Sequence, residues 1–256
     1  MPETSPIVYD LDEAQQVVTI TLNRPTKLNA LTLQMLDLLE DAVAAAEQSD
    51  ARVVVVRSAS ERAFSVGADI DMLASFSAEQ MWREWTVRGH RAFDRLANVR
   101  PPTVAVLRGY TLGGGLELAL ACDFRIASDT AELGLPEVGI GTIPGWGGTA
   151  RLVRTIGEPR ALELILTRRR IDARQALALS LIHDHHKPEH LEGALQKLLG
   201  ELRGGKPVAV QAAKQLVRAV SQPGPSAALE FLASGFTTGT ADYRSELQSF
   251  TRGEQG

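Results

Sequence analysis

Apolar and polar positions alternate in two distinct regimes along the chain. Ile7–Asp10 and Val17–Leu22 are short, β-branched runs that predict strands, and Pro25 sets the turn that follows the second. Between Leu31 and Ala45, apolar residues recur at Met35, Leu36, Leu38, Leu39, Ala42 and Val43, leaving Asp37, Glu40 and Asp41 for the opposite face. That period predicts an amphipathic helix. Arg52-Val53-Val54-Val55-Val56-Arg57 is too short for a helix and continuously apolar, as a central strand covered on both faces would be. Ser77-Ala78-Glu79-Gln80 has a capping-box pattern and opens a helix to about Asn98, where Pro101-Pro102 forbids extension. Thr103–Leu107 then predicts a buried strand, Gly109–Gly115 a loop, Leu116–Cys122 a short helix and Phe124–Ala127 a strand, with further strand-like pieces among glycines up to Gly148. Beyond Ala150 the period becomes helical, at Arg160–Leu166, Ala173–Leu181, Leu191–Leu202, Val208–Val220 and near Ala227–Ser234.

The expected architecture is therefore an α/β N-terminal two-thirds followed by a helical third, without a linker long enough to separate modules. No repeat of fixed period and no low-complexity tract is visible. With 256 residues, 44% of them apolar and 23% charged, the composition is that of a globular protein of one to two domains. Every apolar run is soon broken by a charge, well short of the ~20 residues of a membrane span. Met1-Pro2-Glu3-Thr4-Ser5-Pro6 has none of the features of a secretory signal, so a cytoplasmic location is expected. The single cysteine, Cys122, closes no intramolecular disulfide. A net charge of −4 with interleaved signs argues against nucleic acid as a partner but leaves room for a small anionic ligand.

Several glycine and histidine patterns fail their own tests. Gly109–Leu116 has P-loop spacing but places Gly115 and Leu116 where Lys and Ser/Thr must stand. Pro144 occupies the third-glycine position of a dinucleotide fingerprint in Gly139–Gly145, and Gly-x-Ser-x-Gly does not occur. His186 and His190 have helical ligand spacing, yet Pro188 lies between them. The His183–His190 segment is expected to be a solvated connection between helices, and Arg168-Arg169-Arg170 a solvated or subunit-contact cluster; no metal site is expected.

The informative residues are two carboxylates. In Leu116-Glu117-Leu118-Ala119-Leu120-Ala121-Cys122 every side chain around Glu117 is apolar, so no helix face would solvate it. A buried carboxylate must be ion-paired, for which Arg108 or Arg125 are candidates, or protonated, or retained for chemistry. Glu137 repeats the situation within Leu133–Gly141. Two such acids in one cavity split their apparent pKa values, giving a neutral donor and a charged acceptor. Gly113-Gly114-Gly115 precedes a helix, where backbone N–H groups are unsatisfied, and Phe64-Ser65-Val66-Gly67-Ala68-Asp69 forms a second small-residue turn. Amides from two such loops can converge on one oxygen as an oxyanion hole.

At these residues the sequence resembles the enoyl-CoA hydratase/isomerase (crotonase) family. The likeness is carried by Leu22-Asn23-Arg24-Pro25 with Leu28-Asn29-Ala30-Leu31, by Phe64–Ile70, by Gly109–Leu118, and by Pro136-Glu137 with Gly141–Thr149. It implies a spiral of β-β-α units over residues 1–195 and a helical trimerisation region over 196–256, assembled as a homotrimer or dimer of trimers. It implies hydration of an enoyl-CoA thioester with no cofactor beyond the substrate's own coenzyme A, Glu117 acting as base on water and Glu137 delivering a proton to the α-carbon. Isomerases of the family often keep only the acid corresponding to Glu137, so the presence of Glu117 points to hydration. The thioester oxygen would lie between the amides of Val66 and Gly114. Arg24, Lys27, Leu28, Ala30, Ala68, Asp69, Ile70, Leu112, Gly113, Pro136, Gly145 and Trp146 would bind the substrate, with coenzyme A along the Arg24–Ala30 loop and Ala68–Ile70 and with Trp146 lining the acyl pocket. Three departures stand out: Val66 replaces a usual alanine, Asp71 a common lysine, and Asp242–Phe250 keeps only the Asp and Phe of the usual pattern, followed by the lone basic Arg252. Pocket depth, and with it the acyl group, depends on side chains of the Ile70–Trp85 region.

Overall fold

The chain shares its strands between two sheets. The computed structural model describes residues 5–220 and Gln248; the helix expected near Ala227–Ser234, the Asp242–Phe250 pattern apart from Gln248, and Arg252 lie outside the described residues. In chain order the elements are β1 (Ile7–Asp12), β2 (Val17–Leu22), α1 (Leu33–Gln48), β3 (Val53–Ser58), β4 (Ala63–Ser65), α2 (Ile70–Ala74) and α3 (Ala78–Gln80). A π-helical turn (Met81–Thr86) runs into α4 (Val87–Asn98), followed by β5 (Thr103–Leu107), β6 (Tyr110–Leu112), α5 (Gly114–Ala121), β7 (Phe124–Ser128) and β8 (Glu132–Gly134). A 3₁₀ turn (Glu137–Ile140) leads to α6 (Gly148–Ile156), α7 (Glu158–Thr167), β9 (Ile171–Asp172), α8 (Ala173–Ala178), β10 (Asp184–His186), α9 (Leu191–Gly204) and α10 (Pro207–Val220).

The larger sheet has the order β1-β2-β3-β5-β7-β10 and the smaller one β4-β6-β8-β9. Pairing is parallel except at β1–β2 and β8–β9. Each of the pairs β3–β4, β5–β6 and β7–β8 sends its first strand to the large sheet and its second to the small one, and helix follows each pair. This is the expected β-β-α repetition, wound so that the loops after β4 and β6 open at the same place.

Burial on both faces explains the valine run. Val54 and Val56 of β3 join the main core under α1 and α4, whereas Val53 and Val55 pack with Val104, Val106 and Ile126 beneath Leu191, Leu195 and Leu199 of α9. Thr32 caps α1 by accepting the Met35 N–H, and Ser77 with Gln80 makes the expected capping box. Because α9 lays Leu191, Leu195 and Leu199 on one sheet face, a division after residue 195 falls inside a single packed helix.

Several expectations are corrected. Gly109–Gly115 is not all loop, since Tyr110–Leu112 pairs with both β4 and β8, and the helix after it starts at Gly114. The histidine segment is the largely exposed connection between α8 and α9 that was expected, but within it Asp184–His186 pairs with β7 as an edge strand. His183 Nδ1 accepts the Arg125 N–H, and His185 Nδ1 lies 2.5 Å from Asp129 Oδ1 in a side-chain hydrogen bond. Pairing to a neighbouring strand overrides the weak local propensity of such polar residues. Among the described residues no group of His, Cys, Asp or Glu is placed to hold a metal, and no helix is long and apolar enough to cross a membrane.

Candidate active site

Glu117 stands on α5, only 2% exposed, and its Oε1 accepts two backbone N–H groups, from Trp146 at 2.8 Å and Gly148 at 2.9 Å. These donors solvate a negative charge in place of water. Neither arginine considered as a structural partner serves it: Arg108 is ion-paired with Glu61, and Arg125 is spent on the carbonyls of Leu181 and Cys122. The fit at the base of this side chain demands glycine, because a Cβ on Gly148 would lie 2.3 Å from Glu117 Cγ.

Glu137 opens the 3₁₀ turn that follows β8. Both of its carboxylate oxygens are closed off and, among the described residues, take no hydrogen bond from another residue. A Cβ added to Gly113 would sit 3.0 Å from its Oε1, which places the carboxyl over the loop before α5. Burial pushes Glu137 well above the usual carboxylate range, and the charge of Glu117 pushes it further. Both causes favour the protonated form of Glu137. A cavity of about 250 Å³ is bordered by both acids together with Val66, Ala68, Gly113 and Gly114.

The small-residue turn after β4 reaches the same cavity, but its Val66 amide is already committed. That N–H donates to the Leu28 carbonyl at 3.2 Å, which removes it as an oxyanion donor. Two residues on, Ala68 is flanked by the bonds Leu31 N–H to Gly67 O (2.7 Å) and Asp69 N–H to Leu31 O (2.9 Å), while its own N–H takes no backbone acceptor among the described residues. Gly67 makes the approach possible: its φ is +90°, and an added Cβ would come within 2.9 Å of the Gly114 nitrogen. Gly114 is the first residue of α5, where an amide has no carbonyl one turn back.

Of the other expected contact residues, Ile70, Pro136, Gly145 and Trp146 border the cavity, whereas Arg24, Lys27, Leu28, Ala30, Asp69 and Leu112 do not. Arg24 bonds the Ala30 carbonyl and is ion-paired with Asp69 at 2.5 Å; Asp69 also caps α2. Lys27 is half exposed and pairs with Asp71 at 3.3 Å. Leu112 is buried in β6. Residues not anticipated from sequence include Asn29, fully buried, whose side chain bonds Ser58, the Phe64 carbonyl and the Arg24 N–H and so pins the loop that supplies the Leu28 carbonyl. Its place inside the Leu28–Leu31 block was the available signal. Met81, Trp85 and Arg170 also border the cavity, Arg170 with its guanidinium over the Tyr110 ring at 5.4 Å.

A β-β-α spiral carrying two buried carboxylates beside two amides that have no backbone acceptor among the described residues defines the class, and comparison with known proteins agrees. The sequence profile of the enoyl-CoA hydratase/isomerase family matches residues 12–251; the chain belongs to that family. It is 34% identical over 243 residues to a short-chain-enoyl-CoA hydratase of Clostridium acetobutylicum, covering 94% of this chain and 93% of that protein. It is 35% identical over 205 residues to a crotonyl-CoA hydratase of Syntrophomonas wolfei, covering 80% and 78%. Among solved structures, an enoyl-CoA hydratase of Bacillus anthracis matches with a TM-score of 0.81 at 34% identity, covering 97% of this chain and 96% of that one.

Proposed function

We propose that the protein adds water to a trans-2-enoyl-CoA thioester to give the 3-hydroxyacyl-CoA. The observation that carries this is the pair Glu117 and Glu137 at one cavity, one carboxylate held by two N–H donors and the other closed off with, among the described residues, no hydrogen bond from another residue. The thioester oxygen would sit between the amides of Ala68 and Gly114, each worth about 3 kcal/mol when aimed at the charge of the developing enolate. Glu117 removes a proton from water as the oxygen bonds the β-carbon, and Glu137 gives its proton to the α-carbon. Hydration transfers no electrons between substrate and protein, and the proton that Glu117 takes from water is released and Glu137 reprotonated before the next turnover, so the reading assigns no metal or redox cofactor.

The coenzyme A part would run along the Arg24–Ala30 loop, with Lys27 the cation free to leave a solvated ion pair for a phosphate, and with the backbone of Ala68, Asp69 and Ile70 beside the base. Val208, Leu216 and Val217, exposed on α10, support subunit contacts of a trimer or dimer of trimers, and a cytoplasmic setting completes the reading. The experiment is direct. Crotonyl-CoA should lose its enoyl-thioester absorbance on addition of the protein, and 3-hydroxybutyryl-CoA should accumulate; an unchanged spectrum across a panel of enoyl-CoA chain lengths would refute hydration.

A further inference from the structure

Trp146 is fixed at three points. Its backbone N–H donates to Glu117 Oε1 at 2.8 Å, its carbonyl accepts from Arg151 at 2.8 Å, and its indole Nε1–H donates to the Trp85 carbonyl at 3.2 Å. Arg151 is itself ion-paired with Asp94 on α4. The ring lies in a slot made by two glycines: an added Cβ on Gly89 would come within 2.0 Å of Nε1, and one on Gly114 within 2.5 Å of Cζ3. Trp85 meets it at 4.7 Å between ring centroids, with Phe93 behind at 5.2 Å and Phe76 against Trp85 at 6.1 Å. Trp85 and Trp146 are almost wholly buried. The π-helical turn at Met81–Thr86 brings both Met81 and Trp85 to the cavity, a local geometry that recurs at functional positions.

We propose that Met81, Trp85 and Trp146 form a rigid stop that confines the enzyme to short acyl chains. The inference rests on the hydratase reading for the direction of the acyl group and extends it to substrate size. One edge of the stop touches Gly114, whose amide faces the thioester oxygen, so it stands immediately beyond the reacting carbons. Ring packing, the two flanking glycines and the indole Nε1–H bond to the Trp85 carbonyl leave the indole nowhere to swing, while the two backbone bonds fix the segment that carries it. A longer chain would have to displace a residue whose N–H also holds Glu117, and so would be excluded or bound with the base out of place.

The test compares crotonyl-CoA with trans-2-decenoyl-CoA in the wild type, Trp85→Ala and Met81→Ala, and measures binding of the unreactive butyryl-CoA and decanoyl-CoA by calorimetry. The wild type should prefer the four-carbon substrate in kcat/KM by about tenfold or more, and each variant should shift that ratio toward the ten-carbon substrate by about tenfold. Met81→Ala is the milder change and keeps the test informative should Trp85→Ala fail to fold. Equal kcat/KM for both substrates in the wild type, or an unchanged ratio in a cooperatively folded Met81→Ala protein, would overturn the stop while leaving hydration intact. Absence of turnover with tighter binding of butyryl-CoA than decanoyl-CoA would support the stop and refute the hydratase reading.

Discussion

Buried carboxylates are handled in opposite ways at the two ends of α5. Beyond its C-terminus, Asp123 lies among Lys214 at 2.7 Å, Arg218 at 2.7 Å and the Thr103 hydroxyl at 2.9 Å, a cluster that clamps α10 to the sheet. Burial alone would raise Asp123, but the two cations hold it below the ordinary range. Toward the cavity no cation among the described residues is ion-paired with Glu137, whose pKa burial and Glu117 push up, while Glu117 accepts the N–H groups of Trp146 and Gly148. Where the fold needs an anchor, it supplies counter-charge; where chemistry is to occur, it withholds it. The difference separates a carboxylate that stabilises from a pair that stores reactivity.

The comparison breaks most visibly at the acids. Glu117→Gln and Glu137→Gln should each lower hydration of crotonyl-CoA by roughly 10²–10⁴-fold, measured as initial rates of absorbance loss. A small effect of Glu117→Gln alone would turn the reading toward double-bond isomerisation through Glu137. Asp123→Asn should do the reverse, sparing turnover per folded molecule while costing about 3–5 kcal/mol, because Lys214 is left buried without its partner. Its sign with pH follows from the lowered pKa: the stabilisation is complete above the unfolded value near ~3.9 and vanishes as pH falls through the folded one. Thermal unfolding of wild type and variant should therefore differ at neutral pH and converge in acid.

Gly148→Ala leaves both acids in place but pushes on Glu117 Cγ, and a displacement on the order of 1 Å should cost about 10² in kcat. Stopped assays on a protein with unchanged circular dichroism check this. Across pH, kcat/KM should be bell-shaped: the acid limb reports ionisation of the base, and the alkaline limb reports loss of the Glu137 proton above its raised pKa. Keeping that proton opposes folding once pH exceeds the unfolded carboxyl value, so Glu137→Gln should melt higher than wild type at neutral pH although it is inactive. The smallest effect belongs to Cys122, pushed up to about 12 by burial and Asp123; thiol reagents should leave it unmodified and activity unchanged in the native protein.

Much of this was legible along the chain. Glu117 and Glu137 announce themselves as lone charges in apolar stretches, and the valines of β3 announce a strand buried on both faces. Which amide of the Ser65–Asp69 turn is free could not be read there, because it depends on the Leu28 carbonyl arriving from another loop to occupy Val66. The β-β-α repetition was hidden for a related reason. β4, β6 and β8 are three-residue strands with no room for alternation, and the helices between successive pairs differ in length, so no fixed period survives. Likewise the polar β10 is a strand only because β7 offers it an edge, and the pinning of Trp146 requires glycines from two helices that the sequence keeps apart.

The central claim is that the two acids rest in opposite protonation states before substrate arrives. Isotope-edited infrared spectroscopy of the ligand-free protein at neutral pH observes this directly. A band from a protonated carboxyl group should be present in the wild type and in Glu117→Gln and absent from Glu137→Gln. A spectrum in which every glutamate is ionised, or in which the band disappears with Glu117 instead, would contradict the account.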